Sequence, residues 1–137
     1  MKRLTLPNDI ETIPQLNEFI DGFCEERGID FDITMRLNLA IEEAVVNVMS
    51  YAYPKGTVGN VDIEVEADED YITFVIRDSG VPFDPTQKED PDIDLNPSER
   101  QIGGLGIYIV KNIMNEVTYQ RLEGKNLLTM TKDIENK

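Results

Sequence analysis

Apolar residues recur along this chain in two rhythms, every second position in short stretches and every third or fourth in longer ones. Residues 2–6 alternate briefly and predict an edge strand that ends at Pro7. From Ile13 the spacing turns helical through Leu16, Phe19, Ile20 and Phe23, with Pro14 acceptable in a first turn and Gly28 as the stop. A longer helix follows Asp32, its candidate N-cap, and T-M-R-L-N-L-A-I-E-E-A-V-V-N-V-M-S-Y-A-Y carries it to Pro54 with no glycine or proline inside. After a loop, V-D-I-E-V-E-A and Y-I-T-F-V-I-R alternate on either side of D-E-D, which predicts an antiparallel hairpin. Residues 79–102 break the rhythm, with Pro82, Pro85, Pro91 and Pro97 set among many acids. Gly103, Gly104 and Gly106 then open a third helix through Ile107, Val110, Ile113 and Met114. V-T-Y-Q-R-L-E and N-L-L-T-M-T-K form a last hairpin around Gly124.

The order β-α-α-β-β-loop-α-β-β, without repeats, predicts an α/β (α+β) two-layer sandwich: a mixed, mainly antiparallel sheet covered on one face by about three helices. A chain of 137 residues, 40% of them hydrophobic, is expected to form a single domain over residues 1–137. With 27 acidic against 13 basic side chains the net charge is −14, so direct binding to nucleic acid or to an anionic membrane is not expected, while basic partners remain open. No apolar run approaches the roughly 20 residues of a spanning helix, and M-K-R-L-T-L-P does not read as a signal peptide. A cytoplasmic location is the expectation. The absence of histidine excludes histidine-based catalysis within this chain, and the lone Cys24, among apolar residues and acids that raise a thiol's pKa, is expected to pack rather than react.

Three constellations bear on chemistry. On the long helix Glu43 and Asn47 are four residues apart and share a face, where an amide carbonyl suits a hard cation and a carboxylate suits a general base. An isolated E-x-x-x-N is more often a solvated pair. In R-D-S-G-V-P-F-D, residues 77–84, a strand ends in Asp78 and Gly80. An aspartate there can accept a hydrogen bond from an exocyclic amine such as adenine's, worth about 1.5–3 kcal/mol, and glycine would let a flat ring approach the backbone. A plain Asp-Ser-Gly turn is the other reading. G-G-L-G, residues 103–106, stands directly before a helix, so its free N–H groups and the helix dipole suit phosphate, although neither a P-loop nor a dinucleotide fingerprint is present. The order strengthens all three, since Asp78 follows Asn47 by 31 residues and the glycine loop follows Asp78 by 25.

With these residues the chain resembles the GHKL, or Bergerat-fold, ATPases: L-A-I-E-E-A-V-V-N-V-M-S-Y-A-Y as the N box, R-D-S-G-V-P-F-D as the first glycine box and G-G-L-G-I-Y-I-V-K as the second. Within them it is most similar to the anti-sigma factor serine-protein kinases, whose first box reads D-x-G-x-P-F-D. The resemblance implies ATP and Mg²⁺ as cofactors, with Asn47 on the metal, Glu43 as catalytic base, Asp78 on the adenine amine and Gly80 in the base pocket. Gly103, Gly104, Leu105 and Gly106 would lie along the phosphates, and Arg100 would help neutralise the transferring group. Many relatives carry a histidine where Tyr51 stands, and a threonine in the last strand that aligns with either Asn126 or Thr129. The acidic loop becomes a lid at about residues 84–102. The implied partners are a STAS-domain anti-sigma antagonist, phosphorylated on serine, a sigma factor, and a second copy in a homodimer. The alternative is an ATP-gated partner-binding module with little or no kinase activity.

Overall fold

The structure is a computed structural model and describes residues 1–87 and 104–134. Its elements run β1 (Lys2–Pro7), α1 (Ile13–Arg27), α2 (Phe31–Asn47), β2 (Asn60–Ala67), β3 (Tyr71–Asp78), α3 (Gly104–Ile113), β4 (Glu116–Leu122) and β5 (Lys125–Asp133). The strands form one sheet in the order β1-β2-β3-β5-β4, every neighbouring pair antiparallel. This is the α/β two-layer sandwich that the element order predicts, with the sheet antiparallel throughout.

Local chemistry sets the boundaries. Gly28, at φ +67°, closes α1: its N–H reaches Glu25 O at 3.2 Å and the N–H of Ile29 reaches Cys24 O at 2.9 Å. The N-cap of α2 is Asp30 rather than Asp32. Asp30 holds extended backbone and accepts the Asp32 N–H at 3.2 Å, which places Asp32 in the first turn, where its charge favours the helix dipole. The long helix also changes pitch before Pro54, because α2 ends at Asn47 and Val48–Ala52 continues as a wider π turn. Between β4 and β5, Glu123 at φ +52° and Gly124 at φ +78° make the two-residue turn that matches the twist of a hairpin.

Helices and sheet meet along one apolar face. On central strand β3, Ile72, Phe74 and Ile76 point inward, and β5 adds Leu128 and Met130. Against them pack Leu16 and Ile20 of α1, Leu37 and Ile41 of α2, and Ile107 and Val110 of α3. Cys24 is buried in this layer, and burial, with Asp21 adding to it, pushes its thiol pKa up against a hydrogen bond with Thr34, in keeping with a packing role. Across the sheet, Glu64 is clasped by Arg77 and, at 3.1 Å, by Arg3. Among the described residues, no helix is long and apolar enough to cross a membrane.

Candidate functional site

Alternation along the two middle strands should keep their inward positions apolar, and each strand breaks the rule once at the same end. Asp78 follows Ile72, Phe74 and Ile76 on the inner face of β3. Asn126 precedes Leu128 and Met130 on β5, and the two residues are register partners. Both are 3% exposed. A carboxylate at such a position has to be held by donors, and Asp78 Oδ1 accepts the Gly80 N–H at 2.8 Å and the Asn126 Nδ2 at 2.9 Å. Oδ2 has no hydrogen-bond partner among the described residues. Burial raises the Asp78 pKa, while the Asn126 bond, the Gly80 N–H and the charge of Arg121 pull it back.

Asn126 is fully engaged in this brace. Its Nδ2 also donates to Val81 O at 2.8 Å. Its Oδ1 accepts from Tyr119 Oη, from Arg121 Nη1 at 3.2 Å and from the Phe83 N–H at 3.3 Å. Arg121 Nη1 reaches Gly80 O at 2.9 Å as well. One asparagine therefore ties β3, β4, β5 and the turn after Asp78 into a rigid frame that leaves a single carboxylate oxygen free to accept. Of the two positions open at the last strand, Asn126 stands beside Asp78. Thr129 does not, because it shares the other face of β5 with Leu127 and Thr131, opposite Val75.

Gly80 also meets a neighbour within the fold. A Cβ built on it would lie 2.1 Å from Ala52 O and 2.6 Å from the Ala52 carbonyl carbon, and the next N–H, of Val81, donates to that same oxygen at 2.7 Å. The glycine thus docks the π turn after α2 onto the Asp78 turn. Gly80→Ala is expected to cost about 3 kcal/mol, since backbone cannot retreat as a flexible side chain would. A urea midpoint equal to that of the wild type would show that the turn shifts freely. Nearby, the Tyr51 and Phe83 rings sit 5.5 Å apart. The Tyr53 hydroxyl donates to Asn60 O at 2.7 Å and accepts the Ser79 N–H at 3.0 Å.

Upstream of that contact lies Asn47, 4% exposed at the C-terminal end of α2. Its Nδ2 donates to the Glu43 carbonyl at 2.8 Å, which fixes the amide, and Oδ1 has no partner among the described residues. An anchored, buried amide with an open carbonyl oxygen fits a hard divalent cation or its bound water. Glu43, one turn earlier, is half-buried, and its carboxylate makes no hydrogen bond or ion pair among the described residues. Helix α3 packs on α2, and Gly104, Leu105 and Gly106 form its first turn, whose N–H groups have no partner within the helix. Arg100, Gly103 and residues 88–102 of the expected lid lie outside the described residues. Of the remainder, Lys111 Nζ reaches Thr86 O at 3.4 Å and ties the segment after Asp84 to α3.

Tyr119, Arg121 and Tyr53 were not legible as parts of this frame. Each acts through a cross-strand or loop contact that depends on register, and no local motif marks them.

Residues 6–132 match the histidine kinase-like ATPase domain family. Over 136 residues the chain is 32% identical to the serine-protein kinase RsbW of Staphylococcus aureus, covering 96% of this chain and 85% of that one. Over 95 residues it is 30% identical to the serine/threonine-protein kinase BtrW of Bordetella bronchiseptica, covering 69% and 67%. Among solved structures, one containing the RsbU and RsbW domains of a Mycobacterium tuberculosis protein superposes with a TM-score of 0.62 at 15% identity, over 96% of this chain and 32% of that one. The mycobacterial sensor histidine kinase MprB superposes with a TM-score of 0.53 at 17% identity, over 96% and 97%. At those identities the structural likeness speaks for the fold.

Proposed function

The chain belongs to the histidine kinase-like ATPase domain family, in its anti-sigma factor serine-protein kinase branch, and we propose that it phosphorylates a STAS-domain anti-sigma antagonist and holds a sigma factor in turn. It is an ATP-dependent protein-serine kinase. The observation that carries the reading is the pairing of Asp78 and Asn47: two buried polar side chains, each pinned by one atom and open at another. In this reading residues 1–137 act as one kinase unit, homodimeric and cytoplasmic.

Each open atom has a task. Asp78 Oδ2 accepts from the adenine amine, and Asn126, with no donor to spare, acts by positioning that carboxylate. The first turn of α3 takes the phosphates on its N–H groups, with Arg100 and Gly103 assigned to the same end by family likeness. Asn47 Oδ1 would hold Mg²⁺, which would supply charge neutralisation on the phosphates when bound. Glu43 orients the serine hydroxyl and takes its proton as the serine oxygen bonds to the γ-phosphorus and the bond to the β,γ-bridging oxygen breaks, releasing ADP.

Incubating the chain with γ-labelled Mg·ATP and the STAS-domain proteins of its source cell tests this. Labelling of one such protein on serine is the expected result. ATP binding without any labelling would replace the kinase reading with that of a nucleotide-gated binding module.

A further inference from the structure

Helix α2 carries an exposed apolar series that the core does not use. Phe31, Met35 and Leu39 are 72%, 55% and 45% exposed, and they stand four residues apart. The next two steps of four are Glu43 and Asn47. Residues at i, i+4, i+8 form one ridge that winds slowly around a helix, so a single ridge runs from solvent at Phe31, through Leu39, to the half-buried Glu43 and the buried Asn47. At a rise of about 1.5 Å per residue, Leu39 lies about 6 Å and Phe31 about 18 Å along the axis from Glu43.

Three large apolar side chains in a row on an exposed helix face are costly to leave in water. Their alignment is not required by the fold, because α2 meets the core through Leu37, Ala40, Ile41, Ala44 and Val45. The ridge is continuous with the site where a serine must enter, and its borders are acidic: Asp32 and Glu42 on α2, and Asp21 on α1, which accepts Asn38 Nδ2 at 2.8 Å. Arg36 is the one cation on this stretch of α2.

We propose that the Phe31–Met35–Leu39 ridge is the docking rail for the protein substrate, which lays an apolar patch ringed by lysine or arginine on α2 and so delivers its serine to Glu43. This rests on the kinase reading above and adds the surface by which the substrate is chosen. Apolar contact supplies the affinity, and acidic borders facing basic side chains set the orientation.

The test varies the concentration of the purified STAS-domain protein at saturating Mg·ATP and compares the wild type with the double variant Phe31→Ser/Met35→Ser and with Leu39→Ala. All three positions are exposed, so the fold and ATP affinity are expected to hold, and both are measured alongside. The expected result is a KM for the STAS-domain protein raised about 10-fold or more in the double variant, with kcat within about twofold of wild type. An unchanged KM with normal transfer overturns the rail and leaves the kinase reading intact. So does a KM that is unchanged while the variant falls from dimer to monomer, which would make the ridge a contact between copies. If the wild type binds ATP and labels no STAS-domain protein, the kinase reading fails and the docking role fails with it.

Discussion

Glu43→Ala is expected to bind ATP as the wild type does and to transfer phosphate to serine about 10²- to 10⁴-fold more slowly, the range in which positioned general bases contribute. The separation is sharp because of how α2 is built. Asn47 is anchored to the Glu43 carbonyl at 2.8 Å, a backbone group that alanine keeps, so the metal-side amide stays in place when the side chain is removed. The Glu43 carboxylate supports nothing else among the described residues, and a half-buried surface truncation on a helix costs little stability. The loss should therefore appear in kcat, with KM for ATP unchanged. Measuring single-turnover transfer for Glu43→Ala and Glu43→Gln, beside ATP affinity by calorimetry, decides the role. Transfer at the wild-type rate in either variant removes Glu43 as base, whereas a fall in ATP affinity would place it on the nucleotide.

How much of this was legible in the chain follows from the range of each interaction. The periodicity of the β2–β3 and β4–β5 hairpins and of α1 is local, and those elements lie within a residue or two of where the pattern put them. The N-cap of α2 was displaced by two because Asp30 and Asp32 are both good caps, and only the backbone angle at Asp30 separates them. Asn47 and Asp78 stood out as short motifs. The burial of Asp78 did not, since a lone polar residue ending an apolar alternation looks like the edge of a strand until the register places it under the helices. The frame around Asp78 was the least readable part. Asn126 braces it only because residues 78 and 126 pair across β3 and β5, a separation of 48 positions that no local pattern encodes. Gly80 was read as room for a ligand, and the structure adds a second requirement that the sequence does not show, the close approach of the Ala52 carbonyl.

Asp78→Asn is expected to move affinity and stability in opposite directions. In the wild type, Oδ1 is committed to Gly80 and Asn126, and Oδ2 is the acceptor left for an exocyclic amine. Asparagine keeps an oxygen for the two internal donors but turns an N–H₂ toward the pocket, so the charged hydrogen bond to adenine is replaced by donor facing donor. Removing a bond of about 1.5–3 kcal/mol lowers ATP affinity about 10- to 150-fold. Inosine triphosphate, whose base carries an acceptor at that position, should gain affinity, because the new N–H₂ donates to an oxygen that the carboxylate repels, so the preference between the two nucleotides narrows or inverts. Stability in the absence of nucleotide should rise. The Asp78 pKa is raised in the fold, chiefly by burial, so its charged form is disfavoured there: the stabilising difference is fully present below the unfolded pKa and is lost as pH rises through the folded one. Above the folded pKa the wild type thus holds an ionised carboxyl at a cost that asparagine does not bear, and there the variant should melt at the higher temperature. That advantage should shrink as pH falls through the folded pKa, where Asp78 becomes neutral like its replacement. Melting curves of both proteins from pH 4 to pH 8, with and without ATP, test each half. A variant that is less stable than the wild type at every pH would make Asp78 a structural residue, and unchanged ATP affinity would remove it from the base pocket.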